Sequence, residues 1–177
     1  MSDLAIRRLN PDDAPVYRAL MLQAYAAHPD AFTSSAPERA ALPLDWWRQR
    51  LSTQPGAPEV VLGAWASGEL VGAVGLVRET RDKTRHKAKV SGMIVAPHWR
   101  GRGLGRQLMQ TVIDFAAQQP ELSILQLTVT QGNRVAEQLY ASLGFATFGI
   151  EPDAVAVAGG FVAKMHMFCR LVKPTAL

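Results

Sequence analysis

Val95-Ala96-Pro97-His98-Trp99-Arg100-Gly101-Arg102-Gly103-Leu104-Gly105-Arg106 is the stretch on which the reading of this chain turns. A β-rich run from Lys87 to Val95 enters it. The strongest helical pattern of the chain, Leu104 to Gln118 with Leu104, Leu108, Val112 and Phe115 on one face, leaves it. Glycines between a strand and a helix let backbone N–H groups converge on an anion, and the helix N-terminus adds its partial positive charge. The dipole contributes only about 0.3–1 kcal/mol, whereas each hydrogen bond to a charged acceptor contributes about 1.5–3 kcal/mol. Several such bonds would dominate binding. A glycine-rich turn can be merely structural, but its place between strand and helix favours an anion site. Two nucleotide motifs fail here. A dinucleotide loop counted from Gly101 would put its third glycine at Arg106, with Leu125 or Gln126 where a ribose-binding acid is needed. The Gly-Lys-Ser/Thr of a P-loop is absent.

The charge around this loop is uneven. Nine Lys/Arg and two acids lie between Arg78 and Arg106, so that segment carries +7. The remaining ten basic and thirteen acidic residues carry −3. Such a field attracts a polyanion, although lysines guarding a strand edge would account for Lys83 to Lys89 by themselves. No aromatic residues alternate with these charges as single-stranded nucleic acid requires, so nucleic acid is not an expected partner and a small phosphorylated ligand is.

Outward from the loop, Leu4 to Leu9 reads as a strand, and Asn10-Pro11 as the cap and first position of a helix to about Ala27 with Val16, Leu20 and Ala24 on its apolar face. Pro29 to Ser35 reads as a polar loop and Pro43 to Thr53 as a second helix. Strands over Glu59–Trp65 and Leu70–Arg78 flank the turn Ser67-Gly68-Glu69. After the long helix, stopped by Pro120, come a strand at Ile124–Val129, a helix from Asn133 to Leu143 ending at Gly144, and closing strands at Ala146–Ile150 and Phe161–Val172. This order predicts an α/β fold with a mixed sheet.

The 177 residues, 48% hydrophobic and 19% charged, fit one domain spanning 1–177 with an ordinary core. The one cysteine, Cys169, cannot form an internal bridge and reads as a buried strand residue. Metal ligation by a Cys/His cage is not expected. The charged start Met1 to Arg8 does not read as a signal peptide, and the longest apolar run, Ala154 to Ala163, is too short to span a bilayer. A cytoplasmic protein without membrane contact is the expectation.

Two blocks carry a family resemblance. Arg100-Gly101-Arg102-Gly103-Leu104-Gly105 follows the R/Q-x-x-G-x-G/A pattern of the GNAT superfamily of acetyl-CoA-dependent N-acyltransferases, and Met93 to Pro97 looks like that family's fourth strand and following turn. Asn133-Arg134-Val135-Ala136-Glu137-Gln138-Leu139-Tyr140-Ala141-Ser142-Leu143-Gly144-Phe145 resembles its N-x-x-A-x-x-L-Y-x-x-x-G-F block. Either block alone would be weak; their order and spacing make the resemblance strong.

The resemblance implies a single-domain GNAT-like fold: a mixed, mostly antiparallel sheet of six to seven strands, flanked by about four helices and splayed between the fourth and fifth strands. It implies acetyl-CoA as cosubstrate and no metal. The pyrophosphate would sit on the backbone of Arg100, Gly101, Arg102, Gly103, Leu104, Gly105 and Arg106. The pantetheine arm would pair with Met93, Ile94 and Val95, and an N–H of Ile94 or Val95 would stabilise the oxyanion. Asn133 would contact the arm or act only as a helix cap. Tyr140 would be the general acid, against the alternative of a core tyrosine packed beside Phe145.

The general base is unassigned, because Val90-Ser91-Gly92-Met93 offers no acid where many relatives carry a glutamate; Glu79, His86 or a water chain are candidates. At pH 7 an unperturbed lysine is neutral about once in 2,500, whereas an α-amine of pKa ~7.7–8 is neutral roughly a tenth of the time, so a site without a strong base suits an α-amine. The acceptor-side candidates are the loop His28 to Ser35, notably Phe32, then Trp46 or Trp47, and Glu79, with ordinary packing the alternative for the loop and the tryptophans. Glu151-Pro152-Asp153 and the Gly159-Gly160 hairpin are candidates for the opposite wall. The leading expectation is transfer to the amine of a small or amino-acid-like molecule. A protein N-terminal or lysine acetyltransferase and a non-catalytic acyl-CoA sensor are the alternatives. A homodimer is carried as a further candidate, untested by sequence.

Overall fold

The computed structural model describes residues 4–173, so Met1 to Asp3 of the charged N-terminus lie outside the described residues. The chain folds as β1 (Leu4–Arg8), α1 (Ala14–Ala27), α2 (Ala36–Ala40), α3 (Leu44–Arg50), β2 (Glu59–Ala66), β3 (Glu69–Arg78), β4 (Lys87–Val95), α4 (Leu104–Ala117), β5 (Ile124–Thr130), α5 (Arg134–Ser142), β6 (Ala146–Val157) and β7 (Gly160–Arg170). Seven strands form one sheet in the order β1-β2-β3-β4-β5-β7-β6. Every pairing is antiparallel except β4 with β5, which α4 connects as a crossover.

Helices cover both faces of this sheet. A side chain at Gly92 would meet Tyr17 and Met21 of α1, while the next residue, Met93, reaches Gly105 of α4 on the other face. The apolar stripe of α4 buries Leu104, Leu108, Met109, Val112 and Ala116. Phe115 is only half-buried, being rotated to the rim of the stripe.

Several expectations change. Val16 of α1 is 45% exposed, and the buried face instead carries Tyr17, Leu20, Met21, Ala24 and Tyr25. The aromatic rings at 17 and 25 bury more area than a valine, and they set the helix rotation. The first helix opens with a 3-10 turn at Pro11–Asp13 that Asn10 caps. The loop after α1 contains a second 3-10 turn, Pro29–Ala31, and the unexpected α2 starts on a capping box between Ser35 and Glu38. β6 continues past Ile150 through Pro152. That is tolerated because β6 is the sheet's edge strand, and the pairing shifts between Glu151 and Val155 with Asp153 at φ 52°. Cys169 is buried on β7, as expected, and burial pushes its thiol up to about 11.

Arg7 on β1 grips the start of the first helical segment. Its guanidinium donates to both carboxylate oxygens of Asp13 at 2.8 and 2.9 Å, and the Asn10 amide donates to the same carboxylate at 2.9 Å. These donors hold the Asp13 carboxyl below the usual range, the Arg7 hydrogen bond contributing most. A depressed folded-state pKa stabilises the fold above the unfolded value of ~3.9, and that contribution disappears as pH falls through the folded value. Asp13→Asn is therefore expected to cost about 1–3 kcal/mol at pH 7 by urea unfolding and to flatten the loss of stability below pH 4.

Candidate active site

The site begins at a defect in the sheet. Along β3 and β4, Ala73 faces Ile94 and Gly75 faces Ser91, so β4 carries one extra residue in that interval. Gly92 adopts φ 58° there, a left-handed conformation that a glycine adopts without strain. The bulge bends β4 away from its parallel neighbour, and β4 pairs with β5 only at Lys87, Ala88 and Lys89. Beyond Lys89 the β5-facing edge of β4 has no ladder partner. A cleft of about 750 Å3 opens in the gap.

The glycine loop closes one end of this cleft. Gly101 and Gly103 adopt φ 72° and 79°, so successive backbone dipoles turn to one side as in an anion-binding nest. No side chain caps α4, and its first intrahelical bond is donated by Gln107 to the Gly103 carbonyl at 3.1 Å. The amides of Leu104, Gly105 and Arg106 are left without intrahelical partners. Arg100 braces the loop: its Nε donates to the Val95 carbonyl at 3.2 Å and its Nη2 lies 2.7 Å from His28 Nε2. Arg106 donates to Ser142 Oγ at 2.6 Å, joining α4 to α5.

Tyr140 of α5 faces the same cleft and is 9% exposed. Burial alone pushes its phenol up to about 12. Its ring also lies 6.1 Å from Phe145, so packing and cleft-lining coexist in one residue. Asn133 lines the cleft and caps α5 through its Oδ1, which accepts from the Ala136 amide at 3.3 Å.

Most of the sequence-derived residues converge on this space. Met93, Ile94, Val95, Arg100, Gly101, Gly103, Leu104, Gly105, Arg106, Asn133 and Tyr140 line it, and Phe32 lines its other end. Arg102 does not; its guanidinium stacks over the Trp99 ring at 5.1 Å.

The other acceptor-side expectations are corrected. Trp47 is fully buried, edge-on to Tyr17 at 5.8 Å and to Trp46 at 5.1 Å, and is part of the core beneath α1. Trp46 is held between the guanidinium groups of Arg39 and Arg50, at 4.8 and 5.0 Å, and does not line the cleft either. Glu79 is exposed past the end of β3, outside the cleft, as is His86. The turn between β3 and β4 lies at the paired end of β4, away from the splay. Nor do Glu151 to Asp153 or Gly159-Gly160 line it.

Beside the Phe32 loop the cleft is lined instead by residues that sequence reasoning missed. Lys164 on β7 is 4% exposed, and its Nζ donates to the Ala31 carbonyl at 2.9 Å and to Thr130 Oγ1 at 3.0 Å. Thr130 Oγ1 in turn donates to the Asp30 carbonyl at 2.6 Å. These bonds tie the loop after α1 to the ends of β5 and β7. Burial first, and the nearby Lys89 second, lower the Lys164 pKa, while Glu151 partly offsets them. A lysine inside the strand pattern Phe161–Val172 was the available signal.

Among the described residues no cluster of His, Cys, Asp or Glu could hold a metal ion, and no helix is long and apolar enough to cross a membrane.

Comparison with known proteins agrees with this geometry. Residues 20–145 match the model of the acetyltransferase (GNAT) family. The chain is 26% identical over 168 residues to the L-amino acid N-acetyltransferase AaaT of Escherichia coli, covering 94% of this chain and 98% of that protein. Among solved structures, a GNAT-family acetyltransferase from Streptococcus pneumoniae superposes with a TM-score of 0.87 at 24% identity, covering 95% of this chain and 99% of that one. The yncA protein of Salmonella typhimurium, solved with its cofactor acetyl-CoA, superposes with a TM-score of 0.76 at 21% identity, covering 99% and 98%. The fold, the splayed β4, the glycine loop and the family match agree: this chain belongs to the acetyltransferase (GNAT) family and is an acetyl-CoA-dependent N-acetyltransferase.

Proposed function

We propose that this protein acetylates the α-amine of a free amino acid or a close analogue, and that its site residues divide the work along the cleft. The observation that carries the reading is the bounded cleft itself, running from the glycine loop past the unpaired edge of β4 and Tyr140 to a tied-down loop at Phe32. The amides of Gly101 to Arg106 suit a pyrophosphate, with Arg100 and Arg106 adding charge. The free edge of β4 at Met93 to Val95 suits an amide-bearing arm, which satisfies backbone groups that β5 leaves unpaired. Acetyl-CoA supplies both chemical features, together with the activated acyl group. An N–H of Ile94 or Val95 holds, in this reading, the negative charge that develops on the acyl oxygen. Tyr140 Oη holds the proton that the departing thiolate needs.

The acceptor reading rests on closure and on charge. Thr130 and Lys164 fasten the loop carrying Phe32 across the end of the cleft, which favours a small molecule over a peptide. The amino-acid acetyltransferase among the relatives points the same way. Release of free CoA, followed with a panel of L-amino acids, peptides with free N-termini and polyamines, tests the proposal. Amino acids are expected to give the highest kcat/KM; a preference for peptides or polyamines would overturn it.

Gly103→Ala tests the cofactor end. A side chain there would meet no atom within 4 Å, so its cost is conformational, about 1–2 kcal/mol for a non-glycine residue at positive φ. The KM for acetyl-CoA is expected to rise about tenfold in steady-state kinetics while the KM for the acceptor holds.

A further inference from the structure

The charged side chains that line the cleft are all basic. Arg100 and Arg106 belong to the glycine-loop end, whereas Lys89 and Lys164 stand on β4 and β7, on either side of β5. No Asp or Glu lines the cleft among the described residues. The acids nearest these lysines are engaged or turned away. Glu151, the cross-strand neighbour of Lys164, contacts His166 at 2.8 Å; Glu137 accepts from the Gly132 amide at 2.7 Å; and Asp30 contributes only its carbonyl, its side chain lying outside the cleft.

Lys164 is the more telling of the two lysines. An ammonium has three donors, and here two go to neutral oxygens, Ala31 O and Thr130 Oγ1. The Thr130 hydroxyl proton is committed to Asp30 O, so Thr130 can only accept from Lys164. The third donor of a nearly buried cation has no protein partner, and its nearest carboxylate, Glu151, is bonded to His166 and reaches Lys164 only through the field. Burying an ammonium that way is costly unless an anion arrives.

We infer that Lys164 and Lys89 form a carboxylate subsite, so that the enzyme selects amines carrying an adjacent anionic group. This deepens the amino-acid reading above and rests on it. The same arrangement bears on the missing base. A cationic cleft disfavours the protonated acceptor amine, lowering its pKa, while the paired carboxylate keeps the molecule bound. Polyamines and lysine side chains, which bring further positive charge, are disfavoured for the same reason.

The test compares each L-amino acid with its own carboxamide, which keeps the amine and the side chain but loses the charge. The wild-type enzyme is expected to prefer the acid by about 10- to 100-fold in kcat/KM. In Lys164→Met that ratio is expected to fall toward one, with the loss in the KM for the amino acid rather than for acetyl-CoA. Lys89→Met, at an exposed position that does not threaten folding, should reduce the ratio partly. Thr130→Val removes the neighbouring tie to Asp30 but keeps the cation and its bond to Ala31, and should retain the preference. Equal use of acids and amides by the wild type would overturn the subsite and leave the amino-acid reading standing. A Lys164→Met enzyme slowed equally with both would assign Lys164 to loop support or proton transfer instead. Absence of CoA release with every free amino acid would sink the underlying reading.

Discussion

Tyr140→Phe is expected to lower kcat by about 10²- to 10⁴-fold, the usual contribution of a positioned general acid, with acetyl-CoA affinity unchanged by calorimetry. The substitution isolates the hydroxyl, because the ring and its 6.1 Å contact with Phe145 persist. Desolvation is the sole cause of the raised phenol, so no structural hydrogen bond is lost with it and stability should barely move. With a pKa near 12, the acid form persists throughout the neutral and mildly alkaline range. A high pKa weakens an acid, but the same dry surroundings raise the basicity of the thiolate it must protonate, which keeps the two matched. The pH profile of kcat should therefore show no descending limb from this residue below about pH 11. An unchanged kcat in Tyr140→Phe would reduce Tyr140 to a core residue.

Trp47→Ala is expected to destabilise the protein by about 3–5 kcal/mol in denaturant unfolding, the usual cost of emptying a large aromatic site in a core. The ring is fully buried against Tyr17 and Trp46. Its Nε1 makes no hydrogen bond, so packing carries the contribution. Trp47→Phe should cost less, since it preserves an aromatic edge and removes that orphaned donor. The kcat/KM per folded molecule should hold for every acceptor. A change in acceptor preference at constant stability would return Trp47 to the acceptor wall.

Trp47 and Lys164 mark the limit of what was legible. The glycine loop, the helix behind it and the Asn133 to Phe145 block were readable because local chemistry dictates them: left-handed glycines, an uncapped helix start, apolar residues at helical spacing. Those features mark the glycine-loop part of the cleft within two short blocks of sequence. The rest of the cleft is assembled from four separated segments, the loop after α1, β4, the end of β5, and β7, whose neighbours in space are over thirty residues apart in sequence. A buried lysine on β7 signals nothing until the ladder aligns it with Thr130 and brings Ala31 above it. Trp47 failed for the opposite reason. An aromatic in a short amphipathic helix looks the same whether its stripe faces a pocket or the core.

The order of the strands and of the longer helices, the place of the glycine loop and the family were thus legible in the amino-acid sequence itself, since each depends on patterns within a few residues; the short α2 was not. Tertiary structure alone decided which side chains line the far part of the cleft. The extra residue at Gly92 splays β4 from β5, and the gap is lined by Lys89 and Lys164 and not by Trp47 or Glu79. Such a selection depends on distances between segments that meet only once the core has closed.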